Sequence, residues 1–116
     1  MEPLDAYRAA YDAADPDEVA SLVAAAFADD GEFESAHTGG PIVGHAALTE
    51  RVLWITERIA GLEVVRGSRQ RVGSTVRWTW EVGDAGGVVA AGMDVAFLAA
   101  DGRIARLIAF DEPDES

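Results

Sequence analysis

Cysteine and lysine are both absent from this chain of 116 residues. Without cysteine there is no disulfide, no thiolate nucleophile, no cysteine-ligated zinc and no iron–sulfur cluster. Without lysine there is no Schiff-base catalysis and no Walker A phosphate loop. No apolar run reaches the roughly 18 residues a membrane-spanning helix needs. No basic start leads into an apolar stretch, so no signal peptide is expected, and the expectation is a cytoplasmic protein with no membrane partner. Positive charge is scarce: nine arginines face 21 acidic residues, for a net charge of −12. That field repels nucleic-acid backbones and anionic lipid, so no nucleic-acid partner is expected either. A Gly-x-Ser-x-Gly elbow and a strand-following Gly-x-Gly-x-x-Gly are missing too. The two histidines, His37 and His45, stand among scattered acids and form no recognised ligand set, so no metal is expected.

What is present is 49% apolar residues, enough for one sizeable core, and the length fits a single domain over 1–116 with an acidic tail at 112–116. The first third is helical by spacing. Leu4, Tyr7, Ala10, Tyr11 and Ala14 mark one face of a helix over 1–14. Asp15-Pro16-Asp17-Glu18 supplies an N-cap, a proline at the first helical position and two first-turn acids. The helix it opens turns Val19, Leu22, Val23, Ala26 and Phe27 inward and is expected to stop at Asp29-Asp30-Gly31. A short strand over 32–35, a loop over 37–41 and a strand fragment at Ile42-Val43 follow. A third helix over 45–60 carries Leu48, Val52, Ile55 and Ile59, with Gly61 placed to cap it. The remainder reads as strands over 62–72, 75–82, 88–99 and 103–111, joined by Gly73-Ser74, Asp84-Ala85-Gly86-Gly87 and Asp101-Gly102 turns. Helices first and an antiparallel meander afterwards define an α+β protein. The last strand is apolar on both alternating faces, Ala105, Leu107 and Ala109 on one and Ile104, Ile108 and Phe110 on the other. Helices can cover only one of them, and a second copy of the sheet is the simplest cover for the other, so a homodimer is expected.

Four stretches carry a resemblance: Phe27 to Ser35 (FADDGEFES), Gly39 to Leu48 (GGPIVGHAAL), Val76 to Trp80 (VRWTW) and Gly92 to Ile104 (GMDVAFLAADGRI). In order and spacing they resemble the nuclear transport factor two-like superfamily, above all SnoaL-like polyketide cyclases and ketosteroid isomerases. The resemblance implies three N-terminal helices packed in the concave face of a curved, mostly antiparallel sheet, a cone-shaped, cystatin-like roll with an apolar pocket between the layers. It also implies frequent dimers. Members include enzymes, ligand binders and assembly modules, so the fold alone names no function.

By the same resemblance Tyr7 and Asp94 match a tyrosine and a protonated aspartic acid that donate hydrogen bonds to an oxyanion. Asp94 has an independent argument, because it sits in the otherwise uncharged run Val88 to Leu98. A carboxyl there meets low dielectric, which favours its neutral, donating form. Relatives that abstract a proton commonly place an aspartate where this chain has Ser35-Ala36. His37, two residues beyond Ser35, can share its strand face and titrates in the range of a general base, so it takes that role in the expected set, with a bound water as the alternative. His45 is expected at the start of the third helix, near the pocket rim. Tyr11, Phe33 and Ser35, with Trp54, Trp78 and Trp80, complete the expected substrate-binding residues; large flat rings suit a hydrophobic or planar ligand. Trp78 and Trp80 share the strand face that points to the helices, and Arg77 takes the other. The arginines at 66, 69, 71 and 77 read as a solvated face balancing nearby acids. Epoxide hydrolysis would need an arginine beside Asp94, with Arg77 or Arg106 as candidates. Two readings remain: a cofactor-free isomerase or cyclase acting on a hydrophobic ketone or polyketide-like small molecule, and a non-catalytic ligand-binding or dimeric interaction module of the same fold.

Overall fold

The computed structural model describes residues 1–112; residues 113–116 of the expected acidic tail lie outside the described residues. The three helices form where their sequence signals stand. α1 (Pro3–Ala10) begins with proline in its first turn. α2 (Pro16–Ala26) is capped by Asp15, whose side chain accepts from the Glu18 N–H at 2.9 Å. α3 (His45–Arg58) follows Gly44 and buries Leu48 and Val52.

The strands are β1 (Phe27–Ser35), β2 (Ile42–Val43), β3 (Glu63–Arg66), β4 (Gln70–Val72), β5 (Thr75–Asp84), β6 (Gly87–Leu98) and β7 (Ile104–Asp111). They make one curved sheet in the order β2-β1-β7-β6-β5-β3, with β4 also on β5. All pairs are antiparallel except β1 with β7, which run parallel. The α+β class and the helix-lined roll are as expected, with that one parallel pair making the sheet mixed. Strand alternation sorts the side chains. Val76 and Trp78 of β5, Ala96 of β6, Leu107 of β7 and Phe33 of β1 turn inward and join Ala6, Tyr7, Val19, Val23 and Leu48 in one core. No helix among the described residues is long and apolar enough to cross a membrane.

Four boundaries differ from expectation, the third helix among them: it ends at Arg58 with Ile59 as its cap, short of the expected Ala60 and Gly61. The first helix is shorter than 1–14: the Tyr11 and Asp12 N–H groups bond back to Arg8 and Ala9, which closes it in a tight turn. The second helix ends at Ala26, and Phe27 already has extended backbone. Phe27 is buried in either conformation, so its apolar character could not reveal the switch. The run over 62–72 is two strands, because Gly67 interrupts it; its N–H donates to the Thr79 carbonyl between the two ladders. In β7, a register shift at Leu98–Ile104 sends both Ile104 and Leu107 into the core. The outer apolar positions are therefore Ile108 and Phe110, beside Met93, Val95 and Phe97 of β6.

Candidate active site

Between the inner sheet face and the helices lies an open-mouthed cavity of about 290 Å³. That is the lower end of the ~300–1,000 Å³ usual for ligand pockets. The helical side supplies Tyr7 from α1, Tyr11 just beyond it, Arg51 and Ile55 of α3 and Ile59 at its end; the sheet supplies Phe33, Ser35, Val64, Arg66, Trp80, Val82, Asp94, Ala109 and Asp111. His37 stands at the end of β1 on the same wall.

Asp94 is 7% exposed, the one buried charged residue among those described. Register explains its aim: it pairs with Trp78 on one side and Ala109 on the other, both inward positions. Burial lifts its pKa to about 7, against the smaller pull of the Trp80 and Trp78 indole N–H groups and of the Arg66 and Arg8 charges. The carboxyl makes no hydrogen bond of normal geometry among the described residues, and the Trp78 Nε1 is buried without a partner.

Across from it, the Tyr7 and Tyr11 hydroxyls are 2.8 Å apart. Burial first, then the neighbouring phenol and the Asp94 charge, hold Tyr7 well above the usual phenol range. Burial also pushes Tyr11 up to about 12. Both phenols therefore keep their protons at neutral pH, and in a bonded pair one proton remains free to donate into the cavity.

At the mouth, the His37 Nε2 meets the Asp111 carboxylate. Ser35 sets this up. Its Oγ accepts from the His37 N–H at 3.2 Å, and its own N–H donates to Thr38 Oγ1 at 3.1 Å, which fixes the turn that carries the imidazole. In the neutral tautomer whose Nε2–H points at Asp111, the ring's lone pair sits on Nδ1. Asp111 pairs with Gly92 and Asp94 with Ala109, so the two carboxyls are diagonal neighbours. Their Cα atoms stand roughly 7–8 Å apart, a span one small molecule can bridge.

Seven of the nine expected site residues line the cavity: Tyr7, Tyr11, Phe33, Ser35, His37, Trp80 and Asp94. Trp54 and Trp78 do not. Trp78 is 2% exposed and packed into the core behind Asp94, tilted against the Tyr7 ring. Trp54 lies on the outer side of α3, 43% exposed, with Arg51 and Arg58 over its ring, because it stands off the helix stripe that faces the sheet. His45 starts α3 as expected, but its Nε2 bonds the Phe27 and Ala28 carbonyls at 2.9 and 3.1 Å, tying α3 to β1 instead of facing the cavity. Neither expected arginine reaches Asp94: Arg77 bonds Gln70 and Arg106 bonds Glu34 on the outer face. Of the supposed solvated face, Arg69 pairs with Asp5, but Arg66 turns into the cavity. The residues missed are Arg51, Arg66 and Asp111. Each had a signal: Arg66 shares parity with Val64, Asp111 with Leu107 and Ala109, and Arg51 precedes Ile55 and Ile59 at four-residue steps.

A curved sheet closed over helices around an apolar cavity with a few convergent polar groups is a cone-shaped α+β architecture. The SnoaL-like domain model matches residues 4–107, and the chain belongs to the SnoaL-like family. Among solved structures it is similar to a SnoaL-like family protein from Agrobacterium tumefaciens C58, with a TM-score of 0.81 and 23% identity over 96% of this chain and 95% of that one. An NTF2-like protein from Exiguobacterium sp. 255-15 gives 0.74 and 26% over 97% and 99%. A steroid delta-isomerase from Pseudomonas aeruginosa gives 0.70 and 16% over 96% and 77%. No curated protein matches the chain in sequence.

Proposed function

We propose that this protein is an acid–base enzyme that isomerises or cyclises a small hydrophobic ketone through an enolate. The observation that carries the reading is Asp94, a carboxyl inside an apolar cavity whose pKa of about 7 keeps a large fraction neutral near physiological pH. A neutral acid donates to a carbonyl oxygen as negative charge develops there. The Tyr7–Tyr11 pair supplies a second donor. His37, oriented by Asp111, takes the proton from the carbon beside the carbonyl onto Nδ1. It returns that proton to another carbon of the enolate, or leaves the enolate to close a ring. A steroid delta-isomerase among the structural neighbours is consistent with this chemistry on this scaffold. The small cavity favours a substrate of one or two rings. We further propose that two copies pair through the outer sheet face, where Met93, Val95, Phe97, Ile108 and Phe110 adjoin.

Deuterium uptake at the α-carbon of 1-indanone or 2-tetralone in heavy water tests the catalytic reading without knowledge of the natural substrate. Exchange should exceed the buffer rate and fall about a hundredfold in Asp94→Ala, the usual cost of an oxyanion donor. His37→Gln should abolish it. Saturable binding of these ketones with no exchange would leave the second reading, a ligand-binding module, whose support is the serine at the usual base position.

A further inference from the structure

Seven of the nine arginines donate at least one side-chain hydrogen bond among the described residues: Arg8, Arg58, Arg69, Arg71, Arg77, Arg103 and Arg106. The two with none are Arg51 and Arg66, and both line the cavity. Arg8, Arg58, Arg71 and Arg77 also lack a carboxylate partner but donate to backbone or amide oxygens; Arg51 and Arg66 stand apart because their guanidinium groups meet no acceptor among the described residues. They come from opposite walls, α3 and β3, and both bear electrostatically on the Tyr11 hydroxyl between them. Arg66 is held over the Tyr11 ring at 5.5 Å, and Arg51 lies between the Trp54 ring at 4.6 Å and the Phe33 ring at 5.6 Å. Such stacking fixes the plane of the guanidinium and leaves its N–H edge free.

From this placement we infer that the natural ligand carries a carboxylate, held by Arg51 and Arg66 while its apolar body fills the cavity. The inference rests on the small-molecule reading above and narrows its substrate class to hydrophobic keto acids. The cavity's own acids do not cancel the two charges. Asp111 is engaged by His37, and burial biases Asp94 toward its neutral form. A carboxylate offers the planar pair of acceptors that guanidinium forks bind best, and each charged hydrogen bond it gains strengthens with exclusion of water.

The test is calorimetric titration of the full chain with two probes of one ring system, 1-naphthoate and its methyl ketone, 1-acetonaphthone. Naphthoate should bind roughly tenfold or more tightly than the ketone, the worth of one charged hydrogen bond. Arg51→Gln and Arg66→Gln should each remove most of that preference and leave ketone affinity within about twofold, which also reports that the variant is folded. Arg106→Gln, on the outer face, should change neither. Equal affinity of the wild type for both probes would overturn the carboxylate inference and leave the pocket reading standing. Binding of neither probe would overturn the pocket reading and the inference with it.

Discussion

At the scale of single residues, Asp94 makes a claim about pH. Its folded-state pKa of about 7 lies above its ordinary 3.8, so folding favours the protonated form. Between those values the unfolded chain releases a proton that the folded chain keeps. Stability from this group is therefore full below about pH 4 and is lost as pH rises through 7, by an amount on the order of a few kcal/mol. Asp94→Asn removes the titration. In urea denaturation the variant should gain stability relative to wild type on going from pH 5 to pH 8; a constant difference between the two would show that the carboxyl is not held neutral. Asp94 could be read from the sequence because one acid in an uncharged strand is a strong anomaly. Arg66 could not, because four arginines in twelve positions look like a solvated surface until strand parity assigns one of them to the inner face. Tyr7→Phe removes one hydroxyl of the bonded tyrosine pair. It should weaken binding of a phenolate probe as Asp94→Ala does, if both donors serve one oxygen.

Elements set the site's shape through a single close approach. Gly92 of β6 sits between Trp80 of β5 and Asp111 of β7. A Cβ there would fall 2.0 Å from the Phe110 carbonyl oxygen and 2.4 Å from the Trp80 ring. The indole thus packs close against bare backbone and forms part of the cavity wall. Gly92→Ala should cost about 3 kcal/mol, the upper range for overpacking, read as a lower urea midpoint at unchanged slope. It should also displace Trp80 and shift its fluorescence. Helix starts were legible because proline and Asp15 announce them in local chemistry. The α2–β1 junction was not, since Phe27 closes a helical apolar face and opens a strand with the same buried ring. The Gly67 break was equally hidden: a glycine in a strand-like run marks a bend only once its neighbours are known.

The whole molecule exposes an apolar outer face, with Phe97 39% and Phe110 51% exposed. Covering it with a second copy stabilises the pair by roughly 25 cal/mol per Å² of apolar area removed from water. Each copy carries a net charge of −12, so repulsion opposes pairing and salt screening should favour it. Sedimentation at micromolar concentration should show a dimer that loosens at low ionic strength, and Ile108→Glu should give monomer. A wild-type monomer at all salt concentrations would reject the pairing. The doubly apolar last strand made this face visible in the sequence. Its true membership was not, because the β-bulge that moves Ile104 inward leaves no mark in the alternation.

The position of β7 also bears on how the protein comes into being. It is the last in chain order of the described strands yet lies in the interior of the sheet, with β1 on one flank and β6 on the other. Ser35 finds its partner in Ala109, and Phe27 in Ile104. On a translating ribosome, three helices and six strands emerge with a gap where the eight residues of β7 belong. Until those residues clear the exit tunnel, β1 and β6 offer unpaired edges and the inner apolar face has no complete wall, the condition that invites aggregation or chaperone binding. Folding of this unit is thus a single late event. Nascent chains halted before Ile104 should be digested by protease, and those displaying Asp111 outside the tunnel should resist it.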